Sequence, residues 1–407
     1  MISARRLSQT DRHPRRATCW LLAVAGLMLL AGCVGFRREP PRPGRTTLES
    51  PLVILPATTM SNYLVIEAKW DKHGPYHFLI DTGGSVTLVS PELAARYFAK
   101  NAPPAEIPLV RVRSAEGETA LLTATTLRRI ELGEARFDNV PALIYDCAQL
   151  SAHFGLKIDG ILGFPFFRET LLTLDYPRSR VLLEPYNPAP LLPGTTLPFN
   201  NDRKTPIVSV RLGDQTFAAL IDSGSDAALS LNPAGLQPKF TVAPRAGATV
   251  ATLSGDREQR VGRLARPLAL GIYALECPVA DLTDELSSLG SGVLKYFAVT
   301  FDQERSQVTF YRESLQPIAP EPRRSSGLSF SKTPAYWRVA GVVPGSPAAT
   351  ASVQPGDLVT RINGEPVARW DLRRYEQLVA SADEIRFTFL YGTRETEQPL
   401  KVFELVP

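Results

Sequence analysis

Two stretches of the 407-residue chain set a carboxylate at the end of an apolar run and follow it with a hydroxyl and a glycine. The first is Phe78-Leu79-Ile80-Asp81-Thr82-Gly83-Gly84-Ser85; the second, 141 residues later, is Ala219-Leu220-Ile221-Asp222-Ser223-Gly224-Ser225. A carboxylate on a buried strand is costly unless it is hydrogen-bonded or shares its charge. If a pseudo-twofold brings the two loops together, Asp81 and Asp222 can share one proton, because like charges about 3 Å apart cannot both ionise. One then acts as base and the other as acid toward a water between them. Thr82 and Ser223 supply hydroxyls that can cross-bond the loops, and Gly83 and Gly224 permit tight turns and close backbone approach. One Asp-Thr-Gly alone is an ordinary turn; two in matched surroundings point to one site. The loops differ in their next residue. Gly84 has no side chain, whereas Ser225 could donate to a carboxylate, which would make Asp222 the acid ionised first and leave the proton on Asp81. The alternative is that Ser225 bonds its own turn.

The flanking sequence repeats around these loops. Strand-like runs at 53–55, 63–68 and 76–80 make a hairpin feeding Asp81, and Ser90 is a candidate cap for a helix over 91–97. Residues 110–113 and 119–123 flank a polar tip containing Gly117; 249–253 precede a second tip containing Gly255. An apolar-glycine element follows in each half, 158–164 and then 291–297, the second lacking one of the glycines. Strand pairs 171–175 with 181–184, and 299–302 with 308–311, close the halves.

This repeat resembles the aspartic proteases, in which each lobe contributes one Asp-(Thr/Ser)-Gly loop. The resemblance implies that Asp81 and Asp222 are catalytic, that Thr82, Gly83, Ser223, Gly224 and Ser225 support them, and that the hairpins carrying Gly117 and Gly255 are flaps. Neither hairpin carries the Tyr usual on a pepsin flap, which leans the resemblance toward the shorter retropepsin-like lobe.

The final 81 residues resemble a PDZ domain, through Gly327-Leu328-Ser329-Phe330, Val342-Val343-Pro344-Gly345-Ser346-Pro347-Ala348-Ala349 and Gly356-Asp357-Leu358-Val359-Thr360-Arg361-Ile362-Asn363-Gly364. The likeness implies that backbone N–H groups of Gly327, Leu328, Ser329 and Phe330 hold a peptide C-terminus, which adds as a strand. The alternative is a small domain without a ligand.

Five Arg precede an apolar run at 20–30, too short to span a membrane comfortably and read as a signal-peptide core. Leu30-Ala31-Gly32-Cys33 resembles a bacterial lipobox, which implies cleavage before Cys33 and lipidation of that residue; an ordinary cleaved signal is the alternative. Of 45 Lys and Arg and 41 Asp and Glu, five Arg and one Asp fall in residues 1–32, leaving 40 of each sign. The mature chain is neutral and has no basic stripe of the kind that binds nucleic acid. Its histidines, His73, His77 and His153, fit no zinc-protease helix motif, and no Gly-x-Ser-x-Gly elbow or phosphate loop occurs. Cys147 and Cys277 read as buried free thiols, with a bridge left open by an oxidising compartment.

The reading is therefore a mainly β protein: a two-lobed, pseudo-twofold, β-barrel-like aspartic-protease body followed by an α+β PDZ domain. Its parts are a lipoprotein signal (1–32), a tether (33–50), lobe 1 (51–184), a linker (185–194), lobe 2 (195–311), a second linker (312–326) and the PDZ domain (327–407). The expected activity is peptide-bond hydrolysis without cofactor or metal, on a peptide or protein substrate. The setting would be the bacterial cell envelope, with a lipid anchor in the membrane and the body facing the periplasm. The alternative is a peptide-binding envelope lipoprotein with a protease-like body and no turnover.

Overall fold

The computed structural model describes residues 44–407 apart from 71, 101–107, 114–116, 118, 188–191, 253–254 and 320–321. Cys33, the signal segment and most of the expected tether lie outside the described residues. The end of that tether belongs to the body: Arg45–Leu48 pairs antiparallel with Ala135–Ile144.

The chain is mainly β, and among the described residues 23 strands join in one network of sheets. The barrel-like lobes expected from sequence are, in the structure, sheets sharing a common core. Alternation of apolar and polar residues sets their faces. Val208, Val210 and Leu212 of Ile207–Leu212 are buried while Ser209 and Arg211 face out. The two lobes meet in a six-stranded antiparallel sheet, in the order Val53–Met60, Arg180–Glu184, Leu171–Asp175, Ala298–Asp302, Gln307–Tyr311, Thr195–Asn200. Its two middle strands come from different lobes. They pair Thr173 with Thr300, whose hydroxyls lie 2.8 Å apart. One hydrophobic cluster runs through both lobes and this sheet, including Ile80, Phe164, Ile221, Phe301 and Phe310.

Each acid loop closes a strand that enters the core at its end, through Phe78, Leu79 and Ile80 in the first and through Ala219 and Ile221 in the second. His73–Asp81 lies parallel to Gly160–Gly163, with Asp81 opposite Gly163. Gln215–Asp222 lies parallel to Ser288–Gly290, with Asp222 opposite Gly290. The second apolar-glycine strand is thus Ser288–Gly290, not 291–297 as the sequence reading framed it; Ser291–Leu294 is a short helix. The polar Ser288 is buried all the same.

The second expected linker is not a free spacer. Ile318 is 3% exposed, bridges Leu275 and donates its N–H to Ala274. Arg323–Ser325 pairs with Phe403–Val406. The prolines of 312–326 forbid an extended ladder but not packing against lobe 2. The PDZ domain has its own core of Phe330, Trp337, Val359, Tyr375 and Phe387. Its long helix, Leu372–Ser381, starts at Asp371, whose carboxylate accepts from Arg374 N–H at 2.7 Å.

Candidate active site

The two acid loops are brought face to face. Phe78, Leu79 and Ile80 are at most 3% exposed, so the strand delivers Asp81 from inside the core. Thr82 and Ser223 are fully buried, where each hydroxyl must find partners, and each finds them in the opposite loop. Thr82 N–H donates to Ser223 Oγ at 2.9 Å, and Ser223 Oγ donates to the Ile80 carbonyl at 2.8 Å. Reciprocally, Ser223 N–H donates to Thr82 Oγ1 at 3.0 Å, and Thr82 Oγ1 donates to the Ile221 carbonyl at 2.7 Å. Four bonds with one pseudo-twofold fix the loops in register.

The glycines fit the same symmetry. A Cβ on Gly83 would lie 2.4 Å from Oδ1 of Asp222, and one on Gly224 would lie 2.4 Å from Oδ1 of Asp81. Each loop therefore uses an absent side chain to admit the opposite carboxyl. Gly84 N–H donates to Asp81 Oδ1 and Gly224 N–H to Asp222 Oδ1, both at 2.9 Å.

The two carboxyls hydrogen-bond to each other, which requires a proton on one of them. Burial raises the Asp81 carboxyl above its ordinary value, against the lowering effect of the Gly84 N–H, the Asp222 bond and the Gly83 N–H. The pair titrates as a unit. Such a centre, half protonated, can deprotonate a water and protonate the oxygen or nitrogen of a carbonyl under attack. Among the described residues no group of three or more His, Cys, Asp or Glu could hold a metal ion.

Ser225 bonds within its own turn. Its Oγ accepts from Ala227 N–H at 3.3 Å, and its carbonyl accepts from Ser291 N–H at 2.7 Å and Ser291 Oγ at 2.5 Å. It ties the acid turn to the strand end behind it, which is the turn-bonding alternative named above.

Two side chains near the acids went unnoticed in the sequence. Tyr63 opens the strand Tyr63–Trp70, and its hydroxyl accepts from the N–H of Asp226, four residues beyond Asp222. Burial, with the negative charges of Asp226, Asp222 and Asp81, holds that phenol well above its ordinary range. Tyr176, buried beneath the acids, is raised for the same reasons, burial first and then Asp222 and Asp81. The position of Asp226 beside the second acid was the available hint; the identity of its partner was not legible.

Both expected flap hairpins form and both cross to the opposite lobe. The first, Leu109–Arg113 with Thr119–Leu132, brings Gly117 against Glu285, which Arg113 bonds at 2.8 Å. The rest of that tip lies outside the described residues. The second, Phe240–Thr252 with Gly255–Leu264, contacts the Ala148–Phe154 helix of lobe 1. It also carries the PDZ domain: Thr249 N–H donates to Ser329 Oγ at 3.0 Å, and Arg245 donates to the Glu404 carbonyl at 2.9 Å.

The carboxylate-binding loop expected at 327–330 is instead the start of a strand, Leu328–Lys332, paired antiparallel with Trp337–Val342. Gly327 N–H donates to Ser325 Oγ and Leu328 N–H to Ser326 Oγ, at 2.9 and 3.2 Å, while the Leu328 and Phe330 side chains are buried in the domain core. Preceding serines take these donors because the strand 323–325 leads, through Ser326 and Gly327 alone, into the strand Leu328–Lys332. Cys147 and Cys277 are free; Cys147 is buried, its thiol pushed up to about 12 by desolvation, whereas Cys277 is only half-buried.

A family model described as aspartyl protease matches residues 66–166, and one described as PDZ domain matches residues 338–390. No curated protein matches the chain. The first match holds Asp81 and the Gly160–Gly163 strand; Asp222 enters through the fold, whose second lobe repeats the same strand, loop and parallel neighbour. The chain thus carries a retropepsin-like aspartyl protease domain and a PDZ domain.

Proposed function

We propose that the chain is an aspartic endopeptidase in which Asp81 and Asp222 share one proton and activate a single water against a peptide carbonyl. The supporting observation is the reciprocal fit of each loop's glycine to the other loop's carboxyl, held by the Thr82 and Ser223 cross-bonds. The buried pair holds one proton between its two carboxyls and titrates as a unit, one carboxyl serving as acid while the other serves as base. The hydrophobic environment strengthens both roles by excluding competing water. With Cys33 as a lipidated residue, the enzyme works in the bacterial envelope on the periplasmic side. Incubation with a mixed peptide library, with and without a pepstatin-type inhibitor, tests the reading. Inhibitor-sensitive cleavage is expected; no cleavage at any pH between 3 and 8 would overturn it.

A second reading is favoured by one observation, the clamping of the second hairpin by Ser329 of the PDZ domain. In that reading the body binds peptides without turnover. The same library separates the two, since a binder enriches peptides and leaves them intact.

A further inference from the structure

The PDZ domain touches the body beside the acids, through the side of its long helix. Glu376 on Leu372–Ser381 accepts from the Ser61 hydroxyl and from the Ser61 N–H. Ser61 and Asn62 form the two-residue turn closed by the Met60–Tyr63 pair, with φ of 46° and 67°. Two left-handed residues suit the twist of a hairpin. A serine in that region nevertheless carries strain, and persists where its surroundings fix it. Glu376 is what fixes this one, binding both its hydroxyl and its amide.

The next residue but one is Tyr63, whose hydroxyl accepts from Asp226 N–H in the second acid loop and feels the charges of Asp222 and Asp81. Its ring stands edge-on to Phe154 at 5.1 Å. Leu372, one turn before Glu376, packs with Met60, Phe154 and Leu79 of lobe 1. Lys332 of the PDZ edge strand donates to the His153 carbonyl at 2.6 Å. The domain is therefore pinned on both sides of the 61–62 turn, and Glu376 is the polar pin that meets it.

We propose that Glu376 is a positioning residue for the acid pair: by holding Ser61 it fixes the 61–62 turn, hence the Tyr63 hydroxyl, hence the Asp226 amide and the loop that carries Asp222. The PDZ domain is then a wall of the catalytic centre and not a recruiting module on a tether. The kinetic half of this inference rests on the endopeptidase reading; the structural half does not.

The test uses the full chain with Glu376→Ala, Glu376→Gln and Tyr63→Phe. Cleavage of a short peptide gives kcat and KM, and amide exchange followed by mass spectrometry is read on segments 60–64 and 223–228. Glu376→Ala is expected to lower kcat about tenfold with KM within about twofold, as misplacement of reacting groups does, and to speed exchange in both segments. Glu376→Gln should restore both, because its amide oxygen accepts from Ser61 N–H and its NH2 donates to the Ser61 hydroxyl. Tyr63→Phe should match Glu376→Ala in kcat, and the double variant should cost no more than either alone. Unchanged exchange at 223–228 in Glu376→Ala, or a Gln variant that behaves as the Ala variant, overturns the proposal. If the parent chain cleaves nothing, the endopeptidase reading fails, and the exchange pattern alone still decides the positioning role in the same way.

Discussion

Gly83 and Gly224 are where a single methyl would meet the chemistry. Each Cβ would fall 2.4 Å from a carboxyl oxygen of the opposite loop, far inside van der Waals contact, and neither neighbour can retreat without breaking the acid pair. Gly83→Ala and Gly224→Ala should therefore abolish cleavage to similar extents, and retention of parental kcat/KM by either would break the symmetry. Asp81 makes a second prediction, about stability. Its folded value is raised above the ordinary 3.8, so the stability it contributes is fully present below that pH and is lost as pH rises through the raised value. Ionised Asp81 thus weighs against the fold at neutral pH. Asp81→Asn should melt higher than the parent at pH 7, with the difference shrinking toward pH 3; a lower melting temperature at pH 7 would contradict it. Both aspartates were legible in the sequence because their signature is local, an apolar run followed by a hydroxyl and a glycine. Tyr63 was not, because its meaning lies in an amide of the other lobe, met only through the fold.

At the scale of the element, the strands behind the acids decide how closely the backbone can pack. A Cβ on Gly163 would lie 2.2 Å from the Val86 carbonyl oxygen, and one on Gly290 would lie 2.3 Å from that of Ala227. Either glycine changed to Ala should cost about 1–3 kcal/mol by overpacking, read as a drop in the denaturant midpoint at constant slope. The first of these strands was plain from its apolar-glycine pattern, Gly160-Ile161-Leu162-Gly163. The second was displaced by a few residues, because Ser287, Ser288 and Ser291 look like surface and yet are buried beside the second loop. Their hydroxyls are accommodated locally, Ser287 Oγ accepting from Asn232 N–H and Ser291 Oγ donating to the Ser225 carbonyl. Composition reads such serines as a turn; only the parallel pairing with Gln215–Asp222 identifies the strand. The strand Arg45–Leu48 was hidden for a related reason, since prolines and arginines just before it made the whole stretch look like a spacer.

The whole molecule differs most from a string of modules. Prolines made 312–326 look like a spacer, but Ile318 packs into lobe 2 and Arg323–Ser325 joins the last strand of the PDZ domain. The PDZ domain meets lobe 1 through Leu372, which is 6% exposed and sits in the cluster of Met60, Leu79 and Phe154. Leu372→Ala should cost about 2–5 kcal/mol at that seam. If the domain is a wall, cleavage of short and long peptides should fall together in this variant; a loss confined to long peptides would instead mark a recruiting domain. Lys332 adds a signature in pH. Burial lowers it to about 8 from the ordinary 10.5, so its ammonium weighs against the fold below about pH 8 and the penalty is relieved as pH rises toward 10.5. None of this seam was legible, since it has no local motif: Glu376, Lys332 and Leu372 look like ordinary PDZ surface until lobe 1 is placed against them.

The central claim is that two halves of one chain supply one acid pair. It is tested most directly by measuring kcat/KM on one cleavable peptide for the parent, Asp81→Asn and Asp222→Asn, each checked for its fold. The account predicts that both single variants lose activity by about 10²- to 10⁴-fold while remaining folded. A folded single variant that cleaves at the parental rate would contradict it.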